Sequence, residues 1–166
     1  MFCTAPGACG EARLYSCPET GRLKIAFAKL QPLPIHNIMK PKKIWANLAA
    51  EDLDRTTDFY TSLGFKTNGR SRDLTSFKVG DDDFIIHFFL KDVLLGNVKG
   101  QMADLQQGNE VIFTLSAESR EEVDQWEKAV EAAGGTLVSR AEAFGEGYYG
   151  LVFQDPDGHK FNVFYM

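Results

Sequence analysis

The sequence predicts an α+β fold made of two copies of one βαβββ unit. A strand-like alternation followed by a capped amphipathic helix occurs twice, and each helix precedes three strand-like runs. The chain also ends in an alternating apolar segment, and a strand at a terminus must be paired inside a sheet to avoid fraying. Because the two copies share a pattern rather than sequence identity, an α+β sandwich without duplication is the alternative interpretation.

In the first copy, residues 44–49 alternate like a strand and Asp52 is a suitable helix N-cap. The helix should end at Gly64, because glycine adopts the left-handed conformation that closes helices. Its buried face is spaced i, i+3, i+7 and i+10, with Leu53, Thr56, Tyr60 and Leu63. The three strand-like runs that follow are at about 66–68, 74–79 and 84–90.

The second copy repeats this order from residue 110. Residues 110–115 alternate, Ser119 and Glu122 form a capping box, and Gly134 should end the helix. The buried face has the same spacing, with Val123, Trp126, Val130 and Ala133. The runs that follow are at about 136–140, 148–154 and 160–165.

These elements define the domain organisation. Residues 1–38 show no helical or strand period and are rich in glycine and proline, so we predict a disordered N-terminal extension. Residues 39–166 are predicted to be a single domain, with repeat 1 at about 41–90, a connection at 91–108 and repeat 2 at about 109–166. The apolar residues of the connection favour packing across the sheet or against a second subunit.

Composition narrows the classes of partner. The formal charge of -5 disfavours nucleic acid, and no apolar run is long enough to span a bilayer, so no membrane partner is expected. The cysteines, all within residues 1–38, are Cys3, Cys9 and Cys17. An odd number of cysteines argues against a disulfide framework and favours a reducing compartment, so we predict a cytoplasmic protein.

Two segments carry a resemblance to a known family. Residues 52–65, Asp-Leu-Asp-Arg-Thr-Thr-Asp-Phe-Tyr-Thr-Ser-Leu-Gly-Phe, form the first helix and its turn, and residues 155–166 begin with Asp-Pro-Asp-Gly-His. The chain from 41 to 166 resembles the vicinal oxygen chelate superfamily, which includes glyoxalases, bleomycin-resistance proteins and extradiol dioxygenases. This resemblance implies that each unit curls into half a barrel, with helices outside and a concave pocket inside. It also implies a homodimer.

Strand alternation then separates the pocket from the helix-covered face. Ile44 and Val111 are assigned to the helix-covered face, and His159 to an exposed hairpin turn. Relatives carry an aromatic loop near the position of Tyr148 and Tyr149. The predicted pocket residues are Trp45, Asn47, Ile85, His87, Phe89, Ile112, Tyr148, Tyr149, Asn162 and Phe164. A lining that is largely apolar and aromatic fits a small organic ligand.

The resemblance also implies four metal-ligand positions, one on the opening and one on the closing strand of each unit. Trp45, His87, Glu110 and Asn162 match these positions. Only His87 and Glu110 are suitable ligands for a divalent Zn, Ni, Mn or Fe ion, and a shift of two residues would replace Glu110 with Ile112. The metal site is therefore predicted to be degenerate, and no cofactor is assigned firmly. His87 as a core histidine and Glu110 as a solvent-facing residue are the structural alternatives.

Three functions follow. The favoured one is a protein of the glyoxalase/bleomycin-resistance type that binds a small organic ligand in an aromatic pocket. The alternative is a metal-dependent, glyoxalase-like lyase or isomerase acting on a substrate with vicinal oxygens, in which Glu110 or a metal-bound water abstracts a proton. A non-catalytic structural or regulatory subunit is the third. A dioxygenase is disfavoured, because its iron site needs two histidines and a carboxylate.

Overall fold

The computed structural model describes residues 42–98 and 100–166. The predicted extension at residues 1–38 lies outside the described residues, and so does the start of the predicted domain. The described residues belong to one compact unit.

The first module has the predicted βαβββ order. Its elements are β1 (Trp45–Ala50), α1 (Leu53–Ser62), β2 (Lys66–Arg70), β3 (Leu74–Val79) and β4 (Phe84–Leu90). The strands form one sheet in the order β1-β4-β3-β2, in which β1 runs parallel to β4 and the other pairs are antiparallel.

The connection between the modules contains α2 (Lys91–Asn97), a short helix that the sequence analysis did not predict. Leu94 is its buried residue. The second module then repeats the first, with β5 (Ile112–Ser116), α3 (Arg120–Ala133), β6 (Thr136–Ala143), β7 (Tyr149–Gln154) and β8 (Lys160–Tyr165). Its sheet has the corresponding order β5-β8-β7-β6, with β5 parallel to β8.

The duplicated α+β fold is therefore confirmed: two four-stranded mixed sheets with helices. Among the described residues no ladder joins the sheets, and neither sheet closes into a barrel. In the same part of the chain, no helix is long and apolar enough to cross a membrane.

The predicted helix signals lie where expected. The Asp52 carboxylate accepts hydrogen bonds from the backbone N–H groups of Asp54 and Arg55, and the Ser119 hydroxyl accepts one from the N–H of Glu122 at 3.1 Å. Gly64 and Gly134 end the two helices with φ of +86° and +91°. Local chemistry thus fixes both long helices at both ends.

Both modules contribute to one hydrophobic core, in which Tyr60 of α1 is fully buried. The Tyr60 ring lies 4.6 Å from that of Phe88 in the first sheet and 5.8 Å from that of Phe161 in the second. One side chain therefore packs against both sheets. Because the two sheets turn these core faces toward the same cluster, their opposite faces, called the open faces below, point away from it.

The assignment of Ile44 and Val111 to the helix-covered face was wrong. Ile44 is 80% exposed and Val111 is 40% exposed. Both residues precede the strands, which begin at Trp45 and Ile112, so the pleat does not constrain them.

The Asp-Pro-Asp-Gly turn before β8 joins the two modules. The Asp157 carboxylate accepts hydrogen bonds from the Glu51 N–H at 3.1 Å, the Arg55 guanidinium at 2.5 Å and the Thr56 hydroxyl at 3.1 Å. The Tyr60 hydroxyl donates to Asp155 Oδ2 at 2.8 Å. The turn of the second module thus holds the first turn of the helix in the first module.

His159, which follows this turn, is buried rather than exposed as predicted. It is 3% exposed, and its Nε2 lies 2.7 Å from the carbonyl oxygen of Ala49. A carbonyl oxygen can only accept, so Nε2 carries a proton and donates it. His159 therefore ties β8 to the end of β1.

The buried Asp155 gives a testable pH dependence. Burial raises the pKa of this carboxyl above its ordinary value of 3.8, although the Tyr60 hydroxyl and the N–H of His159 oppose the shift. The folded protein then holds this proton more tightly than the unfolded chain does. The contribution of Asp155 to the free energy of unfolding is full below the unfolded pKa and is lost as the pH rises through the folded pKa.

Asp155→Asn removes this titration while keeping a carbonyl oxygen for the backbone N–H groups of Asp157 and His159. We expect wild type to lose stability relative to Asp155→Asn as the pH rises from about 3 to 7. Urea unfolding of both proteins across this range measures the difference. A difference that stays constant, or that changes in favour of wild type as the pH rises, would contradict the expectation.

Candidate ligand-binding site

The open face of the first sheet carries a row of uncharged polar side chains. The strand register places Asn47 of β1 beside His87 of β4, and His87 beside Ser76 of β3. Asn68 extends the row, because its amide donates to the Ser76 hydroxyl at 3.0 Å. Sequence reasoning missed Ser76 and Asn68, although the position of Ser76 between two core-facing residues was a usable signal.

Apolar side chains flank this row. Trp45 is 51% exposed, and Ile85 and Phe89 are half-buried. The Phe89 ring lies 6.0 Å from the imidazole of His87. The predicted pocket residues of the first module therefore share one face.

His87 is the distinctive group of this face. Its Nδ1 is buried and has no hydrogen-bond partner among the described residues. Desolvation lowers the pKa of His87 below its ordinary value of 6.5, so the ring is neutral at neutral pH. Because Nδ1 lacks an acceptor, the tautomer with the proton on Nε2 is favoured, and Nε2 can then donate to another molecule.

The open face of the second sheet has a similar composition. Thr114 of β5 is in register with Asn162 of β8, which in turn faces Val152 of β7. Asn162 lies between Phe161 and Val163, which are both fully buried in the core, so the amide is on the opposite face. Ile112 is 49% exposed on the same side.

An aromatic hairpin borders this second face. Tyr148 stacks on Phe144 at 5.9 Å between ring centres, and it lies 6.1 Å from the ring of Phe164. Gly150 permits this approach, because a Cβ atom there would be 2.6 Å from the Val163 carbonyl oxygen and 2.9 Å from Phe164 Cβ. Sequence analysis assigned Tyr148 of this hairpin to the pocket, but it did not identify Phe144.

The structure places Tyr149 on the helix-covered face, not in the predicted pocket. Its hydroxyl donates to Asp124 of α3 at 2.7 Å, and the Arg120 guanidinium lies 5.1 Å from its ring centre. Tyr149 pairs with Tyr165, which packs against the core. Adjacent residues of a strand point to opposite faces, so Tyr149 and Gly150 cannot both belong to the open face.

Glu110 also lies away from its predicted position. It precedes β5, and its Oε1 is 2.9 Å from Nδ1 of His159, without the alignment of a hydrogen bond. Ile112 is the first residue of β5 instead, which corresponds to the alternative alignment shifted by two residues. Nothing in this contact supports a role for Glu110 as catalytic base on the open face.

The residues present do not fit a divalent metal ion. The four positions implied by the resemblance now hold Trp45, His87, Ile112 and Asn162, of which an indole and an alkyl chain cannot coordinate. Across residues 42–98 and 100–166 no group of three His, Cys, Asp or Glu side chains is arranged to bind a metal. The remaining imidazole and amide are a poor ligand set.

Two cavities lie beside the open faces, and the first of them also reaches Lys78 and Thr114 of those faces. One, of about 520 Å³, is lined by residues of both modules that include Phe65, Phe113 and Trp126. The other, of about 600 Å³, is lined by the Asp-Pro-Asp-Gly turn and the connection, with Glu110 and His159. Neither of these two cavities is lined by His87 or Asn162.

Comparisons with known proteins agree with this fold. The structure is similar to that of hypothetical protein SA1046 from S. aureus, with 29% identity, a TM-score of 0.69 and coverage of 77% of this chain and 96% of that one. It is also similar to a glyoxalase-related enzyme from Fulvimarina pelagi, with 20% identity, a TM-score of 0.67 and coverage of 76% and 89%.

A lactoylglutathione lyase from Agrobacterium tumefaciens has 23% identity, a TM-score of 0.57 and coverage of 76% and 95%. At identities below 25% the likeness to these last two structures concerns the fold alone. Among curated proteins nothing matches the chain significantly. The sequence profile described as "Glyoxalase/Bleomycin resistance protein/Dioxygenase superfamily" matches residues 42–163. The chain therefore belongs to the glyoxalase/bleomycin-resistance protein/dioxygenase superfamily.

Proposed function

We propose that this protein binds a small organic ligand in a cup made by two copies of the chain. The open face of the first sheet of one copy forms one half of the cup, and the open face of the second sheet of its partner forms the other. The observation that carries the proposal is the composition of these faces, where aromatic and uncharged polar side chains lie together, partly exposed.

The shared core supports the need for two copies. Because Tyr60 packs against both sheets, both open faces of one chain point away from the shared core. A second copy can place the open face of its second sheet opposite the open face of the first sheet. It would also cover Trp45 and Ile112, which are half-exposed on the outer strands β1 and β5.

The donor set favours binding over metal-dependent chemistry. A glyoxalase-like lyase needs a metal and a base on the open faces. At the four implied ligand positions only His87 and Asn162 can donate to a metal, and the predicted base Glu110 contacts His159. A ligand site needs only apolar walls and a few placed hydrogen-bonding groups. We place this activity in the cytoplasm, since an odd number of cysteines argues against a disulfide framework and suits a reducing compartment.

Trp45 fluorescence tests the proposal. Trp126 lies against Phe153 with ring centres 6.3 Å apart, on the helix side, so Trp126→Phe leaves Trp45 as the single reporter. We expect small aromatic compounds to quench the Trp45 emission saturably. Trp45→Phe is the matched control, whose remaining Trp126 emission should stay unchanged.

Elemental analysis of the purified protein separates binding from the lyase function. The proposal predicts saturable quenching in protein that contains less than stoichiometric metal. Stoichiometric metal that is lost in His87→Ala would support the lyase instead. Absence of quenching by a panel of aromatic compounds would remove the proposal.

A further inference from the structure

We infer that the ligand is uncharged, a planar aromatic or heteroaromatic molecule that carries a carbonyl or amide group. This inference rests on the proposed function and narrows its ligand to a chemical class. It follows from the charges of the open faces, from the hydrogen-bonding state of His87 and from the aromatic walls.

The central positions of both open faces carry no formal charge. They hold Asn47, His87 and Ser76 on the first sheet, and Thr114 and Asn162 on the second. His87 is neutral at neutral pH, because desolvation lowers its pKa. A ligand bound at these positions therefore contacts neutral polar groups and no charged side chain.

The ammonium groups on these faces lie at strand ends, away from the central positions. Those of Lys78 and Lys160 are already engaged, whereas Lys66, in register with Lys78 on the edge strand β2, is exposed. Lys78 Nζ is 3.0 Å from the Asp83 carboxylate, and the Lys160 ammonium donates to the side-chain oxygen of Asn109. An anionic group at the central positions would therefore lose its hydration without an ammonium group beside it to form an ion pair. Glu142 on the outer strand β6 and the formal charge of -5 would repel it further.

A cationic ligand also lacks a partner at the centre of the faces. The central positions hold no carboxylate, since they are Asn47, Ser76, Thr114 and Asn162. Glu110, the one carboxylate predicted on these faces, contacts His159 instead. Aromatic faces attract cations, but an ammonium group buried beside amides alone keeps most of its desolvation cost.

His87 specifies a hydrogen-bond acceptor on the ligand. Because Nδ1 is buried and has no acceptor among the described residues, we assign the proton to Nε2, which can donate it to a ligand. A carbonyl oxygen is the matching acceptor. The amides of Asn47 and Asn162 offer both a donor and an acceptor, which an amide or lactam group can use together. Trp45 and Phe89 then favour a planar ring system.

Three naphthalene derivatives of nearly equal shape test the charge class. They are 2-naphthamide, 2-naphthoate and 2-naphthylmethylamine, which are neutral, anionic and cationic at pH 7. Isothermal titration calorimetry of the full chain should give a dissociation constant for the amide at least about tenfold below those of both charged compounds. Charged compounds that bind within about threefold of the amide, or more tightly, would overturn the inference and leave the proposed function intact.

Asn162→Asp is the matched variant, because it changes the charge of the face and not its shape. If neutrality of the face sets the preference, this variant should weaken the amide and strengthen 2-naphthylmethylamine by about tenfold. An unchanged order of affinities would overturn the inference. If no compound binds to wild type, the proposed function fails and the inference fails with it.

Discussion

Replacing Tyr60 with alanine should lower the free energy of unfolding by about 3–5 kcal/mol. The ring is fully buried and packs against Phe88 of one sheet and Phe161 of the other. Its removal leaves a cavity where the two modules meet, and it also removes the hydroxyl that donates to the buried Asp155. Urea unfolding of wild type and variant at one pH measures the loss.

Tyr60→Phe separates the two contributions. It keeps the ring and removes only the donor, so we expect a loss of about 1–3 kcal/mol, the cost of leaving a buried acceptor unsatisfied. If Tyr60→Ala costs no more than Tyr60→Phe, packing of this ring does not join the modules. The shared core, and with it the outward direction of the open faces, would then be wrong.

Asn47→Asp and Asn162→Asp should each weaken the binding of an uncharged aromatic ligand by about tenfold or more. The two residues belong to different sheets, and each lies on the face opposite the shared core. Each substitution conserves shape and places a carboxylate on an open face. Comparable losses at both positions would indicate that one ligand contacts both faces.

The control for this pair lies on the exposed surface. Asp58 faces solvent on α1, and Asp58→Asn changes the net charge by the same magnitude without altering an open face. Its affinity for the ligand should equal that of wild type. A similar loss in this control, or a loss at only one of Asn47 and Asn162, would contradict the expectation.

The sequence was sufficient to predict the duplicated fold because its signals are local. The caps at Asp52 and Ser119, the left-handed glycines after both helices and the strand alternation each act within a few residues. The same alternation placed Asn47, His87 and Asn162 on the open faces. Helix α2 was missed, since a seven-residue helix without a side-chain cap leaves little pattern.

The errors concern contacts between segments distant in sequence. His159 is buried because it reaches the Ala49 carbonyl across the module boundary, and Glu110 leaves the open face to meet His159. A turn signal such as Asp-Pro-Asp-Gly predicts the turn but not the partner that its carboxylates hold. Tyr149 was assigned to the pocket as part of a loop that relatives carry, whereas it is the first residue of β7 and its hydroxyl reaches Asp124 of α3.

The most direct test of the two-copy cup is the heterodimer of Asn47→Asp and Asn162→Asp. The two variants are coexpressed with different affinity tags and purified on both. If each cup combines the first sheet of one copy with the second sheet of its partner, one cup of the heterodimer carries both substitutions and the other carries neither. Titration with 2-naphthamide should then show one site per dimer at wild-type affinity, although each variant alone binds weakly. A heterodimer without a wild-type site, or a protein that binds ligand as a monomer, would contradict the two-copy cup.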